Sequence, residues 1–409
     1  MSKIKIKNFG PIKAGLTEND GWIDVKKVTL FIGNQGSGKS TVTKLISTFT
    51  WLEKAMVKGV LRQDEYTNQA KFLKHFGYQR LVNYMQGNTE IEYIGNAFVF
   101  KYSKGIFTVN KAPENGYILP QIMYVPAERN FLSVVDRPDK LKDLPATLYT
   151  FNDEYDGAKN KYAGGVNLPI NNTRFIYDSL NKLAHIEGRN SSFKLRLSEA
   201  SSGFQSSVPL YLVTKYLSER LHAEEEISLK EISLEEQRKL EKEIKQILDD
   251  KSLTHDVRQV YLRQLSAKRK PACFINIVEE PELNLFPKSQ KEILFSLIHF
   301  ANVDEGNKLI ITTHSPYFIN YLTLAVKAFN VSKLLTDSTA IDKISAIVPL
   351  ESIVNPEDLI IYQLDEVTGT ITKLEDYKGL PSDENYLNDS LGETNELFAQ
   401  LQQIEKGWL

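Results

Sequence analysis

Between Lys3 and Lys7 apolar and charged residues alternate, the two-residue period of a strand with one buried face. The pattern breaks at Phe9-Gly10-Pro11 and resumes from Trp22 to Lys26. Val28-Thr29-Leu30-Phe31-Ile32 is different: a short continuous apolar run, as a parallel strand covered on both faces requires. A glycine-rich turn follows, then helical spacing from about Lys39 to Val57. Further strands are expected at Glu90–Ile94, at Ala97–Tyr102 with Gly105–Val109, and at Gln121–Val125. Residues 130–190 are irregular, with a helix expected near Phe175–His185 and another from Gln205 to His222. From Glu224 to Ser266 the chain is charge-rich. Leu229, Ile232, Leu234, Leu240, Ile244, Ile247 and Leu248 predict an amphipathic helical pair broken near Asp249–Thr254. Apolar strands return at Ala272–Val278 and Lys308–Thr313, each with helical sequence behind it. A strand at Leu359–Leu364, a hairpin through Val367-Thr368-Gly369-Thr370 and a helical tail to Leu409 complete the pattern. Strand–helix alternation around Ile32, Val278 and Ile311 predicts an α/β fold with a largely parallel sheet.

Composition narrows the class only slightly. With 409 residues, 42% hydrophobic and 25% charged, the chain can bury one large or two medium domains. A net charge of −2 offers no global attraction to nucleic acid, so any such contact needs a local patch, and the only candidate is Lys268-Arg269-Lys270 with Arg263. A single cysteine, Cys273, excludes an internal disulfide and a cysteine-cluster zinc site. No apolar run is long enough for a membrane span and the N-terminus lacks an apolar leader core, so a cytoplasmic location is expected.

The chemistry begins at Gly33-Asn34-Gln35-Gly36-Ser37-Gly38-Lys39-Ser40, with Thr41 next, which satisfies G-x-x-x-x-G-K-[ST] between a strand and a helix. Glycines let backbone N–H groups turn toward phosphate oxygens, and the helix adds its positive end. Lys39 is positioned to reach the β- and γ-phosphates of a nucleotide, and the Ser40 hydroxyl to hold Mg²⁺. The Ala272–Val278 strand runs into Glu279-Glu280-Pro281-Glu282, which delivers carboxylates to the same sheet edge. Glu279, nearer the strand, is assigned to the metal, and Glu280 to the attacking water as general base. The Lys308–Thr313 strand ends at His314, placed to hydrogen-bond the γ-phosphate and that water.

This order of motifs resembles the ABC ATPase superfamily. Ala200-Ser201-Ser202-Gly203-Phe204-Gln205-Ser206 is similar to its signature, with Ser202, Gly203 and Gln205 on the serine, glycine and glutamine. Phe204 replaces the second glycine. The resemblance implies an ABC-type P-loop ATPase head with an N-terminal antiparallel β subdomain, a helical insertion, and a signature that closes on ATP held by a second copy. The soluble OLD-like and SMC/RecF-like branch fits best, on Lys7-Asn8-Phe9-Gly10-Pro11-Ile12, Glu279–Pro287 and Thr312-Thr313-His314-Ser315-Pro316. Tyr124-Val125-Pro126-Ala127-Glu128-Arg129 resembles the branch's counterpart of the Q-loop, which implies a metal- or phosphate-sensing role for Glu128 or Arg129.

The departures shape the functional expectation. No D-x-D pair is present, so the metal-binding nuclease domain of OLD proteins is not expected here. The insertion follows the signature and has no cysteine pair, unlike an SMC arm. The expected organisation is 1–217 for the first part of the head, 218–270 for the insertion and 271–409 for the second part. Stand-alone heads of this kind resemble the ATPase subunits of anti-phage systems such as Septu and PARIS. That implies a homodimer or higher homo-oligomer controlling a separate effector, a nuclease or toxin. The alternative is a RecF-like DNA-repair accessory ATPase.

Overall fold

The computed structural model describes residues 2–63, 69–113, 116–135, 143–223, 270–335 and 338–408, together with 242, 244–246 and 249. An antiparallel sheet in the order β3-β1-β5-β6-β7 is built from β1 (Lys3–Phe9), β3 (Ile23–Asp24), β5 (Met85–Ile94), β6 (Phe98–Ser103) and β7 (Ile106–Lys111). The main sheet has seven strands in the order β2-β16-β15-β4-β14-β13-β8. They are β2 (Gly15–Leu16), β4 (Val28–Gly33), β8 (Pro120–Val125), β13 (Cys273–Glu279), β14 (Lys308–Thr313), β15 (Leu359–Leu364) and β16 (Thr370–Lys373). From β15 across β4, β14 and β13 to β8 every pairing is parallel, and the hairpin partner β16 is antiparallel. The mixed, largely parallel sheet and the antiparallel N-terminal subdomain are those expected.

The apolar runs are continuous because both faces are covered. Alternate residues serve two cores: Leu30, Ile32, Val278, Leu309 and Ile311 face one, while Phe31, Ile277, Ile310 and Ile360 face the other. The second core is closed by α1 (Lys39–Val57), α2 (Gln69–Tyr78) and the antiparallel sheet, through Val42, Leu45, Phe49, Phe72, Phe76 and Phe100. The first is closed by α4 (Ala146–Lys161), α5 (Ser202–Arg220), α6 (Pro287–Asn302) and α7 (Pro316–Ser332). Short α3 (Phe131–Val134) precedes α4, and α8 (Ser338–Ser345) and α9 (Tyr386–Trp408) follow α7.

Residues 130–190 depart from the sequence pattern. The helix expected near Phe175–His185 is instead a hairpin of β10 (Arg174–Asp178) and β11 (Leu183–Glu187). With β9 (Val166–Asn167) and β12 (Lys194–Arg196) it forms a four-stranded sheet. The reversal is made by Asp178, whose carboxylate accepts from the N–H groups of Leu180 and Asn181 at 3.0 and 3.1 Å. Phe175, Tyr177 and Ile186 then point into the core. The helix α5 begins at Ser202, three residues before the expected Gln205, and ends at Arg220. The helical pair expected between 224 and 266 lies, apart from 242, 244–246 and 249, outside the described residues.

Candidate functional site

The strand order places β14 between β4 and β13, so the phosphate loop, His314 and the acidic motif leave three neighbouring parallel strands at one edge. Gly33 ends β4 at φ +143°, where an added Cβ would lie 2.3 Å from the carbonyl oxygen of Leu364. Gly38 stands at φ +102° before α1 and packs against Pro11 and Ile12. Both positions admit only glycine for these reasons. Between them Asn34, Gln35 and Gly36 are exposed and Ser37 is buried; beyond them Ser40 is partly exposed and Thr41 buried.

Lys39 is buried and folded onto the loop. Its ammonium donates to the carbonyls of Gly33 at 2.8 Å and Asn34 at 2.7 Å. Burial lowers its pKa to about 8, against the pull of Glu280, Glu282 and Glu366. Those carbonyl contacts are what a phosphate would replace.

The acidic motif presents its two carboxylates differently. Glu279 is buried, with Oε2 3.4 Å from the Ala127 N–H, and Oε1 buried without a hydrogen-bond partner. The fully buried Tyr124 hydroxyl faces this carboxylate and the Thr43 hydroxyl, and burial followed by Glu279 holds its pKa well above the ordinary value. An orphaned, buried carboxylate oxygen at this edge fits a magnesium ion, which Glu279 and the Ser40 hydroxyl would hold.

Glu280 turns the other way. Its φ of 43° is a left-handed conformation that a glutamate adopts only under constraint. The constraint is identifiable: its N–H donates to Thr312 O at 2.9 Å, and its carbonyl accepts from Arg129 at 2.7 Å. Its Oε1 lies 3.5 Å from His314 Nε2. The adjacent His314 holds the Glu280 carboxyl below the ordinary range, helped by Lys39 and Arg129. An ionised carboxylate beside an imidazole and a lysine can accept a proton from water held against a phosphate.

Three further residues shape the site. Glu282 accepts the His314 N–H on Oε1 at 2.7 Å and leaves Oε2 buried without a partner; burial raises its pKa. Arg129 is wholly buried and donates to main-chain carbonyls, so it is not turned toward a phosphate as one reading of its motif implied. Glu128 beside it is exposed. Glu366, in the β15–β16 turn, accepts from the Asn34 side chain at 2.9 Å and brings the C-terminal segment to the loop. Among the other histidines, His75 packs tilted against Trp51 and His222 lies 3.1 Å from Asp304, as packing and surface residues do.

Ser202 and Gly203 open α5, with Ser202 exposed and Gly203 against the Asn284 carbonyl, where a Cβ would stand 2.9 Å from the oxygen. Gln205 turns back to the carbonyls of Ser198 and Ala200, both at 3.0 Å. The half-buried Phe204, at the second glycine's place, packs against the core instead of leaving bare backbone.

Residues 138–319 match the family model described as an AAA ATPase domain, a span that starts beyond the phosphate loop and takes in Ser202, Glu280 and His314. Among solved structures the chain is similar to the SMC head domain from Thermotoga maritima, at 11% identity and a TM-score of 0.38, over 92% of this chain and 98% of that one. It is also similar to the Smc head domain with an extended coiled coil, bound to the C-terminal domain of ScpA, from Pyrococcus furiosus. There the identity is 8% and the TM-score 0.39, over 98% and 100% of the two chains. A comparison with curated proteins finds no match. Among the described residues no helix is long and apolar enough to cross a membrane.

Proposed function

We propose that the chain binds ATP–Mg²⁺ at Gly33–Thr41 and hydrolyses it between two copies. The observation that carries this is the convergence of Lys39, Glu280 and His314 on one sheet edge, with Glu280 held at φ 43° and 3.5 Å from His314. Lys39 takes the β- and γ-phosphates in place of the loop carbonyls, and the loop N–H groups and the α1 N-terminus hold the remaining oxygens. Ser40 and Glu279 would hold the metal, with Glu128 near enough to Arg129 and Tyr124 to add charge. When bound, Mg²⁺ draws charge from the β- and γ-phosphate oxygens. Glu280 orients the attacking water and accepts its proton, and His314 steadies the carboxylate and the γ-phosphate.

In this reading Ser202 and Gly203 close on the ATP of the second copy, since the exposed start of α5 is a helix N-terminus suited to phosphate. A nucleotide-gated homodimer then governs a separate effector, in the manner of an anti-phage ATPase subunit, with no nuclease centre of its own. Its place is the cytoplasm. The repair-accessory reading draws nothing from the structure, because Lys268 and Arg269 lie outside the described residues.

Complementation tests the shared site. Lys39→Ala and Ser202→Arg should each abolish ATP turnover alone. Mixed in equal amounts they form some dimers with one intact composite site, and turnover should rise above that of either variant alone, to at most about a quarter of wild type. No recovery on mixing would exclude a site shared between copies.

A further inference from the structure

Arg129 stands where three functional segments meet. It is fully buried and makes four hydrogen bonds, all to main-chain carbonyls. Nε donates to Ser206 O at 3.0 Å, one Nη to Glu279 O at 2.7 Å and Pro126 O at 3.2 Å, and the other Nη to Glu280 O at 2.7 Å. Ser206 lies in the first turns of α5, the helix that Ser202 and Gly203 open. Glu279 and Glu280 are the acidic pair. Pro126 leads out of β8.

The planar guanidinium suits this task in a way an ammonium does not. Its donors diverge in one plane, so it can fix carbonyls on two sides simultaneously, and its position sets theirs. Burial lowers its pKa to about 10, opposed by Glu282, Glu280, Glu279 and Glu128, so it stays a cation at neutral pH. A buried cation whose hydrogen bonds end on backbone carbonyls holds loops in place. The strain it holds is visible in Glu280, whose carbonyl is clamped while its φ is 43°.

A second link runs in parallel. Asn284, at φ 61°, donates its side-chain N–H to Ser206 Oγ at 3.2 Å, and Gly203 packs on its carbonyl. The acidic motif and the start of α5 are therefore tied together at both ends. In the proposed dimer these two parts of one chain serve different ATP molecules: Glu280 its own, and Ser202 and Gly203 the partner's.

Resting on that reading, we propose that Arg129 is a positioning residue that couples the two ATP sites of the dimer. It locks the Glu280 backbone of one site to the signature helix that completes the other. Closure of the signature helix on one nucleotide then aligns Glu280 for the other, so that each filled site speeds its partner.

Arg129→Lys keeps the cation but cannot span both sets of carbonyls. It should retain the fold and bind a fluorescent ATP analogue within about twofold of wild type, because the phosphate loop is untouched. Turnover should fall about 100-fold, the scale expected for a small misplacement of a reacting group. The remaining turnover should depend on ATP concentration with a Hill coefficient near one, where wild type exceeds one. Added to Glu280→Gln, Arg129→Lys should abolish the ATP-dependent dimer that Glu280→Gln alone forms. Turnover, cooperativity and dimer formation all within about twofold of the parent proteins would overturn the proposal. So would a loss of ATP affinity equal to the loss of turnover, since that would make Arg129 only a support of the phosphate loop. If Arg129→Met unfolds, the lysine variant decides. If wild type neither turns over ATP nor dimerises with it, the underlying reading fails instead, and the two failures are told apart by the wild-type control.

Discussion

The two edges of the main sheet each bury a lysine, and burial lowers both ammonium groups to about 8. Their surroundings are otherwise opposite. At the edge where β14 begins, Lys308 donates to Ser2 Oγ and Val25 O, both at 3.0 Å. Nearby Glu53 accepts from the N–H groups of Ala97 and Phe98 at 2.6 and 3.1 Å. Among the described residues there, Tyr117 Oη is the buried oxygen left without a partner. At the opposite edge Glu279 Oε1, Glu282 Oε2 and Thr312 Oγ1 are all left so, and Glu280 is strained. Lys39 meanwhile sits on carbonyls of its own loop. The first edge is satisfied by the chain itself. The second holds polar groups in reserve for a ligand, which is how a folded protein departs from local consistency where it works.

Removing each lysine in turn should separate the two edges most strongly. Lys39→Ala should weaken ATP binding at least about 100-fold, by loss of its charge-assisted phosphate contacts. Lys308→Met should spare the site. Turnover should stay within about twofold, while stability falls by about 1–2 kcal/mol as two oxygens lose their donor. Retained ATP affinity in the first, or lost turnover in the second, would erase the distinction.

Next in size is Glu282, which holds the backbone of His314. Glu282→Ala should lower turnover about tenfold to 100-fold while ATP affinity changes little. Glu282→Gln keeps an acceptor and should cost less than about fivefold; equal losses would mean that the charge matters and the hydrogen bond does not.

A pH series separates the edges without a large perturbation. The folded pKa of Lys308, about 8, lies below its ordinary 10.5, so the unfolded chain binds more protons between those values. Wild-type stability should therefore gain on Lys308→Met as pH rises from 7.5 toward 9.5, read from paired urea titrations. A constant difference would place Lys308 in water. The smallest effect is expected from Glu366→Ala, which removes an exposed carboxylate from Asn34 and should tighten ATP binding about twofold.

The phosphate loop, its strand and α1 were legible because every residue that makes them is local: an apolar run, positioned glycines and a lysine at fixed spacing. The acidic motif and His314 were legible for the same reason, each being a strand end. Residues 130–190 were not. Leu148, Phe151, Tyr155 and Ala158 do carry the helical period of α4, but Asn152, Asp153, Asp156 and Gly157 interrupt it with turn formers. In Phe175–His185 the apolar residues straddle a reversal that only the Asp178 side chain marks. Arg129 and Glu282 were visible as residues and not as these roles, because apart from Pro126 O the backbone atoms they hold lie 32 to 151 positions away, and pairing of that kind leaves no spacing to read.

The central claim is that Glu280 activates water in a site closed by a second copy. Light scattering of Glu280→Gln with ATP–Mg²⁺ tests it most directly. The account predicts a species of twice the 46.6 kDa protomer mass that persists with ATP, is absent with ADP and shows almost no turnover. A protein that stays monomeric with ATP, or that hydrolyses it at the wild-type rate, would contradict it.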